Sequence, residues 1–150
     1  YLVQILVHCL QKLDDDKDIK DYIKMSSKWA NIKEINKFSP QIAKAQTQGQ
    51  AASHRAYEEA YKPCLNGFCI GLDERGEMLD SFEFAKLLKD RNQISFFIGG
   101  AYGLGDNLRE EMDKLVSLSR LTFAHKIAKL VLYEQIFRAL CINANHPYHK

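Results

Sequence analysis

Apolar residues fall along this chain in two rhythms. Short β-branched runs of strand length alternate with stretches whose apolar positions recur every three or four residues. Leu2 to Val7 is the first strand run. The acids in Leu13 to Asp16 then suit a helix N-terminus, because carboxylates complement the macrodipole there. Ile19, Tyr22 and Ile23 repeat at helical spacing behind them, predicting a helix from Asp15 to about Lys28. Asn31 to Phe38 predicts a second strand, although Ile32 lies out of phase with Ile35. Ser39-Pro40 can open a helix with Pro at its first position, and the polar, Ala-rich run Gln41 to Tyr61 follows as that helix. Its apolar positions (Ile42, Ala45, Ala52, Ala56, Ala60, Tyr61) make a thin face, and Gly49 weakens its middle. The pattern therefore puts this helix outside the main core.

Pro63 ends that helix, and Gly67 to Leu72 reads as a buried strand closed by a turn at Asp73 to Gly76. Asp80 and Glu83 stand at capping-box spacing before Phe84, Leu87 and Leu88, predicting a short amphipathic helix. Ile94 to Ile98 is the next strand. Asp106 is expected to cap a helix over Leu108 to Leu115, and Leu118 to Phe123 to form the last short strand. Lys126 to about Asn143 forms the final helix. That helix is apolar nearly all round, so it needs cover on more than one side, from its own sheet and from a partner subunit. The alternation of strands and helices predicts an α/β fold: one domain over 1–150, with a mainly parallel sheet and helices on both faces.

Composition narrows the class. With 150 residues, 46% hydrophobic, the chain can bury a sizeable single core. No apolar run has the length of a membrane span and nothing at its start resembles a signal peptide, so a cytoplasmic protein without membrane contact is expected. Cys9, Cys64, Cys69 and Cys141 form no CxxC pair and sit in apolar company. They are expected to be buried free thiols, not a metal site or a disulfide framework. The net charge of +2 is uninformative, but from Lys114 to Lys150 six bases (Lys114, Arg120, Lys126, Lys129, Arg138, Lys150) face one acid, Glu134. An anionic partner such as RNA would explain that excess, and solvated helix faces would explain it equally well.

Open α/β sheets bind ligands beyond the carboxyl ends of their strands. Three predicted strand ends carry suitable residues: Leu72-Asp73, Ile98-Gly99-Gly100 and the stretch Arg120 to Phe123. Gly99, Gly100, Gly103 and Gly105 read GGxxGxG. That is neither the dinucleotide fingerprint, since no ribose-binding acid follows about 20 positions on, nor a P-loop, since no Gly-Lys-Ser/Thr occurs. The glycine pair at the end of a buried strand favours backbone contact with a cofactor, while a tight turn is the plainer explanation.

Four segments taken together carry more. Phe97 to Leu104 (FIGGAYGL), Leu118 to His125 (LSRLTFAH), Tyr133 to Ala139 (YEQIFRA) and Asn145 to His149 (NHPYH) stand in an order and spacing that closely resemble the RlmH (YbeA) family of SPOUT methyltransferases. The match is specific from about Gly71 onward. The N-terminal part fits only in element order, and His8-Cys9-Leu10 replaces the Val-Gly-Lys turn usual in the family. The resemblance implies a C-terminal trefoil knot, a homodimer, S-adenosylmethionine as cofactor, and transfer of a methyl group to N3 of a pseudouridine in large-subunit (23S) ribosomal RNA. It implies that the substrate is RNA within the large subunit or the 70S ribosome, and that no metal takes part. It places Leu72, Gly99 and the run Leu118, Ser119, Arg120, Leu121, Thr122 and Phe123 on the cofactor.

Methyl transfer to an imide nitrogen needs in-line positioning and either a base for N3–H or a group that stabilises the anion. The tail offers both kinds. His149 could accept the proton, as imidazole titrates near neutrality. Tyr148 could orient or stack on the base. Arg138 could hold a phosphate or the developing anion. His125 reads as a structural cap or as support for the cofactor loop, and Glu134 as the partner of a basic group that fixes the fold or the dimer. His8 and His54 read as incidental, and Phe96, Phe97, Phe123, Tyr133 and Phe137 as core or interface. Two other classes stay open: a nucleotide-binding regulator without catalysis, and a non-catalytic RNA-binding ribosome-assembly factor.

Overall fold

A computed structural model describes residues 2–12 and 15–150; the expected contribution of Leu13 and Asp14 to the first helix start lies outside them. Five strands form one sheet: β1 (Val3–Cys9), β2 (Ala30–Asn36), β3 (Phe68–Met78), β4 (Gln93–Ile98) and β5 (Lys114–Ser117). All pair in parallel, in the order β2-β1-β4-β3-β5. Six α-helices connect and follow them: α1 (Lys17–Ser26), α2 (Pro40–Thr47), α3 (Gln50–Tyr61), α4 (Ser81–Leu88), α5 (Asp106–Glu111) and α6 (His125–Asn143).

The alternation of side chains along each strand sorts them into two cores. Ile5 and Val7 of β1, Ile70 of β3, and Ile94, Phe96 and Ile98 of β4 face α1, α4 and α6, where Ile19, Phe84, Leu132, Tyr133 and Ile136 meet them. Phe97, Cys69 and Leu10 face the other way, onto Ile42, Tyr57, Tyr61 and Leu108 of α2, α3 and α5. Helices thus cover both faces, as the alternation predicts.

Local signals hold where short-range chemistry decides. The Asp16 side chain caps α1 by accepting from the amides of Asp18 (2.9 Å) and Ile19 (3.2 Å). Ser39 caps α2 ahead of Pro40. Asp80 and Glu83 close the expected capping box reciprocally, at 2.8 and 2.9 Å.

Several expectations need correction. The helix expected over Gln41–Tyr61 is two helices broken at Gly49, whose φ of +99° suits glycine. Both stand outside the larger of the two cores, as expected, but they build the second one: Ile42, Tyr57 and Tyr61 are fully buried, because Ser53, Tyr57 and Tyr61 form an i, i+4 stripe against the sheet. The turn expected at Asp73 to Gly76 is instead a bulge within β3, where the register against β5 slips between Leu72 and Glu77. Gly76 permits the strand's return, since a Cβ there would lie 2.8 Å from the backbone of Leu115 and Val116.

The remaining two corrections share one cause. The fifth helix stops at Glu111 rather than Leu115, and the last strand is Lys114–Ser117 rather than Leu118–Phe123. Asp113 ties the chain to β3 here: its amide donates to Cys69 O (2.9 Å) and its carboxylate accepts from Cys69 N (2.8 Å). Leu115 and Val116 then pair with Gly71 and Leu72, and residues 118–124 are left as loop. Asp106 also fails to cap: Gly105 occupies that position, and Asp106 is the first helical residue.

Helix α6 is anchored across the sheet by a buried ion pair. Lys129 Nζ lies 3.3 Å from Glu34 Oε1 on β2, and the Tyr133 hydroxyl donates to the same carboxylate at 3.0 Å. Removing one member leaves a charge with poor solvation, so Lys129→Ala should lower stability by about 3 kcal/mol. Glu34→Gln with Lys129→Met, which removes both charges and keeps an acceptor for Tyr133, should recover most of it. Urea-unfolding midpoints at matched slopes check both.

Candidate active site

The chain leaves β4 for α5 on one face of the sheet and leaves β5 for α6 on the other. Loops that part in this way open a crevice at the carboxyl ends of the strands between them. A cleft of about 600 Å³ lies there, walled by the bulge of β3, the glycine loop after β4, the loop after β5 and the first turn of α6.

Leu72, Gly99, Leu118, Ser119, Leu121, Thr122 and Phe123 all line it, as the sequence suggests; Arg120 is exposed and does not. Ile98, Leu104 and the loop backbone add to the walls, and Asp73, Glu74, Arg75 and Asp106 bring charge to the cleft. The loop after β5 is shaped by its own serines: Ser117 Oγ donates to Ser119 O (2.9 Å), and Leu121 N donates to Ser119 Oγ (3.0 Å). This leaves Leu121 72% exposed, an apolar side chain offered to a ligand rather than to the core.

The cleft's electrostatics are set by few groups. Arg109 Nε lies 2.8 Å from Asp73 Oδ2, and Arg75 Nε 3.5 Å from Asp73 Oδ1, so that carboxylate is shared. His125 does not cap α6; Ala124 holds that position, and the imidazole Nδ1 meets Gln11 Nε2, which also reaches Gly99 O at 3.5 Å. Burial lowers the His125 pKa, which favours a neutral ring. Its place in the cleft wall keeps the reading of loop support. Apolar side chains (Leu72, Leu118, Leu121, Phe123) thus stand on the cleft beside a band of charge in which Asp73 and Asp106 are paired with Arg75 and Arg109.

The second group of expected residues gathers elsewhere. Arg138 stands on α6 thirteen residues after His125, about 20 Å along the axis at the usual helical rise. Its Nη2 pairs with Glu134 Oε2 at 2.7 Å, and the Tyr148 hydroxyl donates to the same oxygen at 2.8 Å. Arg138 Nη1 donates to His149 Nδ1 at 3.0 Å. A guanidinium has no acceptor, so His149 Nδ1 contributes its lone pair there, and the ring proton of a neutral His149 sits on Nε2. In this arrangement His149 presents a donor and not a base.

Aromatic contacts hold the tail down: Tyr148 lies edge-on to Phe137 (4.7 Å), His149 to Phe82 (4.7 Å) and His146 to Trp29 (5.7 Å). Glu134 therefore does pair with a base, as its sequence context suggests, and it organises the tail as well. Burial opposes ionisation of Glu134, but the hydrogen bonds from Arg138 and Tyr148 outweigh it and hold the carboxyl below its usual range. Burial and the same carboxylate push the Tyr148 phenol up, keeping it a donor at neutral pH.

Sequence reasoning missed His54, Gln46, Tyr57 and Gln11, which support the loops from behind. Only the Ser53, Tyr57, Tyr61 stripe could have been read from spacing. His8 is likewise a core residue, stacked on Phe97 at 4.4 Å and bonded through Nδ1 to Phe96 O at 2.9 Å.

A parallel α/β sheet with helices on both faces, a cleft at the parting loops beyond its strand ends and a separate donor-rich cluster near its C-terminus define an α/β protein of the ligand-binding open-sheet type. Similarity to known proteins makes this specific. Residues 3–149 match the family model described as a predicted SPOUT methyltransferase. The chain is similar to proteins named ribosomal RNA large subunit methyltransferase H. With that of Campylobacter fetus subsp. fetus it shares 68% identity over 149 residues, covering 99% of this chain and 100% of the relative. With that of Campylobacter concisus it shares 56%, again over 99% and 100%. With that of Aliarcobacter butzleri it shares 50%, over 90% and 89%. The chain belongs to the RlmH family of SPOUT methyltransferases.

The tail's hold should depend on pH through Glu134. A carboxyl depressed in the fold contributes fully above its ordinary value of about 4.5 and is lost as pH falls through the depressed value. The NMR contact between the Tyr148 and Phe137 rings should persist from neutrality to about pH 5 and fade below it. In Glu134→Gln that step should be absent and the tail already loosened at pH 7.

Proposed function

We propose that this chain methylates N3 of a pseudouridine in large-subunit (23S) ribosomal RNA, on the assembled ribosome in the cytoplasm, using S-adenosylmethionine and acting as a homodimer. The names of its relatives, with near-complete coverage, support the RNA substrate. The observation that carries the mechanism is the division of the site: donor cleft at one end of α6, donor-rich cluster toward the other.

When bound, the sulfonium supplies an electrophilic methyl carbon. Leu72, Leu118, Leu121 and Phe123 would hold its base, with the backbone of Gly99 and of residues 118–123 reading the base edge. Those walls exclude water, which strengthens every polar contact inside. Arg138 would then stabilise the imide anion formed when N3 loses its proton, the Nε2–H of His149 would donate to one of its carbonyls, and Tyr148, whose single hydroxyl proton is held by Glu134, would stack on the base. Arg138 and His149 both donate in the arrangement described, so this reading assigns them anion stabilisation and leaves the proton to solvent.

A single chain keeps the two half-sites apart along a rigid helix, whereas a two-fold partner could lay its tail over this cleft. That is the support for a dimer. The trefoil knot belongs to the same reading, the loops 99–105 and 118–124 being the segments it would tie. The non-catalytic assembly factor gains nothing from the geometry, because it has no use for an intact tail cluster.

Transfer of labelled methyl groups to unmodified 70S ribosomes, 50S subunits and naked 23S RNA tests the proposal, with 70S expected as the best acceptor. Transfer to none of them would leave the assembly factor as the better reading. Truncation after Asn145 should leave donor affinity within a few-fold and abolish transfer; loss of both together would put the tail in the donor pocket itself.

A further inference from the structure

The glycine loop has a back as well as a front, and its glycines divide between them. A Cβ on Gly99 would lie 2.5 Å from Gly103 C, one on Gly100 2.4 Å from the Tyr57 hydroxyl oxygen, and one on Gly105 2.8 Å from His54 Cγ. Gly103, at φ +75°, meets nothing within 4 Å. Three glycines therefore serve close packing within the loop and against α3, and one opens outward.

The loop's polar groups follow the same division. Ala101 N donates to Gln46 Oε1 (3.2 Å) and Tyr102 N to the Tyr57 hydroxyl (3.4 Å). That hydroxyl donates to Gln46 Oε1 in turn (2.6 Å), and His54 Nε2 donates to Tyr102 O (2.8 Å). Two bonds across the turn, Gly100 N to Gly103 O (3.1 Å) and Gly103 N to Gly100 O (3.0 Å), complete it. Every one of these side-chain partners comes from α2 or α3.

We infer that Gln46, Tyr57 and His54 are positioning residues for the donor site, holding the 99–105 loop in its binding shape before the ligand arrives. Gln46 and Tyr57 lie off the cleft; His54 edges it, and its part here is the bond to Tyr102 O. Gln46 Oε1 accepts two bonds, which uses both lone pairs of an amide oxygen, and the buried Tyr57 hydroxyl both donates and accepts. Loss of either leaves a loop amide without its partner and allows other loop shapes, which lowers apparent affinity in proportion to the competent fraction.

The inference rests on the cleft being the donor site, and the test separates the two. S-adenosylhomocysteine and S-adenosylmethionine are titrated calorimetrically into the wild-type chain, Tyr57→Phe, Gln46→Leu and Gln46→Glu. Hydrogen exchange at Ala101 and Tyr102 is followed without ligand. Tyr57→Phe and Gln46→Leu should bind roughly tenfold more weakly, with faster exchange at both amides and a donor KM that rises more than kcat falls. Gln46→Glu, which keeps the acceptor oxygens, should restore affinity and slow exchange. A wild-type chain that binds neither compound would sink the donor assignment. Binding by the wild type with both hydroxyl-loss and acceptor-loss variants unaffected would sink the anchoring alone. Should Tyr57→Phe fail to fold, Gln46→Leu decides the anchoring by itself.

Discussion

Backbone packed against backbone at the carboxyl end of β4 is the constraint on which the rest of this structure depends. Gly99 touches Gly103, and Gly100 sits under Tyr57, so the chain reverses in the space of a few residues without any side chain in the way. That reversal sends the chain to α5 on one face of the sheet. The next strand sends it to α6 on the other. Because the two exits diverge, the space between them stays open as a cleft.

Helix α6 converts that local geometry into a layout for the whole molecule. Its first turn walls the cleft, its first half is tied to β2 by Lys129, Glu34 and Tyr133, and its second half carries Glu134 and Arg138. A helix of this length with one face in the core is stiff, so the distance between cleft and tail cluster is set by residue count and not by chance. The buried ion pair is costly to desolvate. It fixes the rotation of α6, and with it which residues meet the cleft and which meet the tail.

Charge is redistributed by folding in a way no linear count shows. Of the six bases from Lys114 onward, Lys114 pairs with Glu77, Lys129 with Glu34 and Arg138 with Glu134, while Arg120 is exposed. Two of those acids come from earlier strands. The excess positive charge that pointed to RNA is therefore partly internal to the fold. The stronger argument for an RNA substrate lies in the relatives' names and in the donor-rich tail.

What the sequence determined by itself was whatever rests on near neighbours. Strand and helix alternation, the caps at Asp16, Ser39 and Asp80, the glycine cluster and the tail motif all depend on residues a few positions apart. The family resemblance was legible for the same reason, since its motifs are contiguous. What only the tertiary structure decided were the choices made by distant partners. The strand β5 begins just after Asp113 because Cys69 was there to bond that residue, and residues 118–124 became a loop because β3 had no ladder left to offer. Tyr57 and His54 became supports for the glycine loop because α3 packs behind it. Their side chains gain their role from the loop packed against them, which is why His54 read as incidental and Tyr57 carried no reading until the chain was folded.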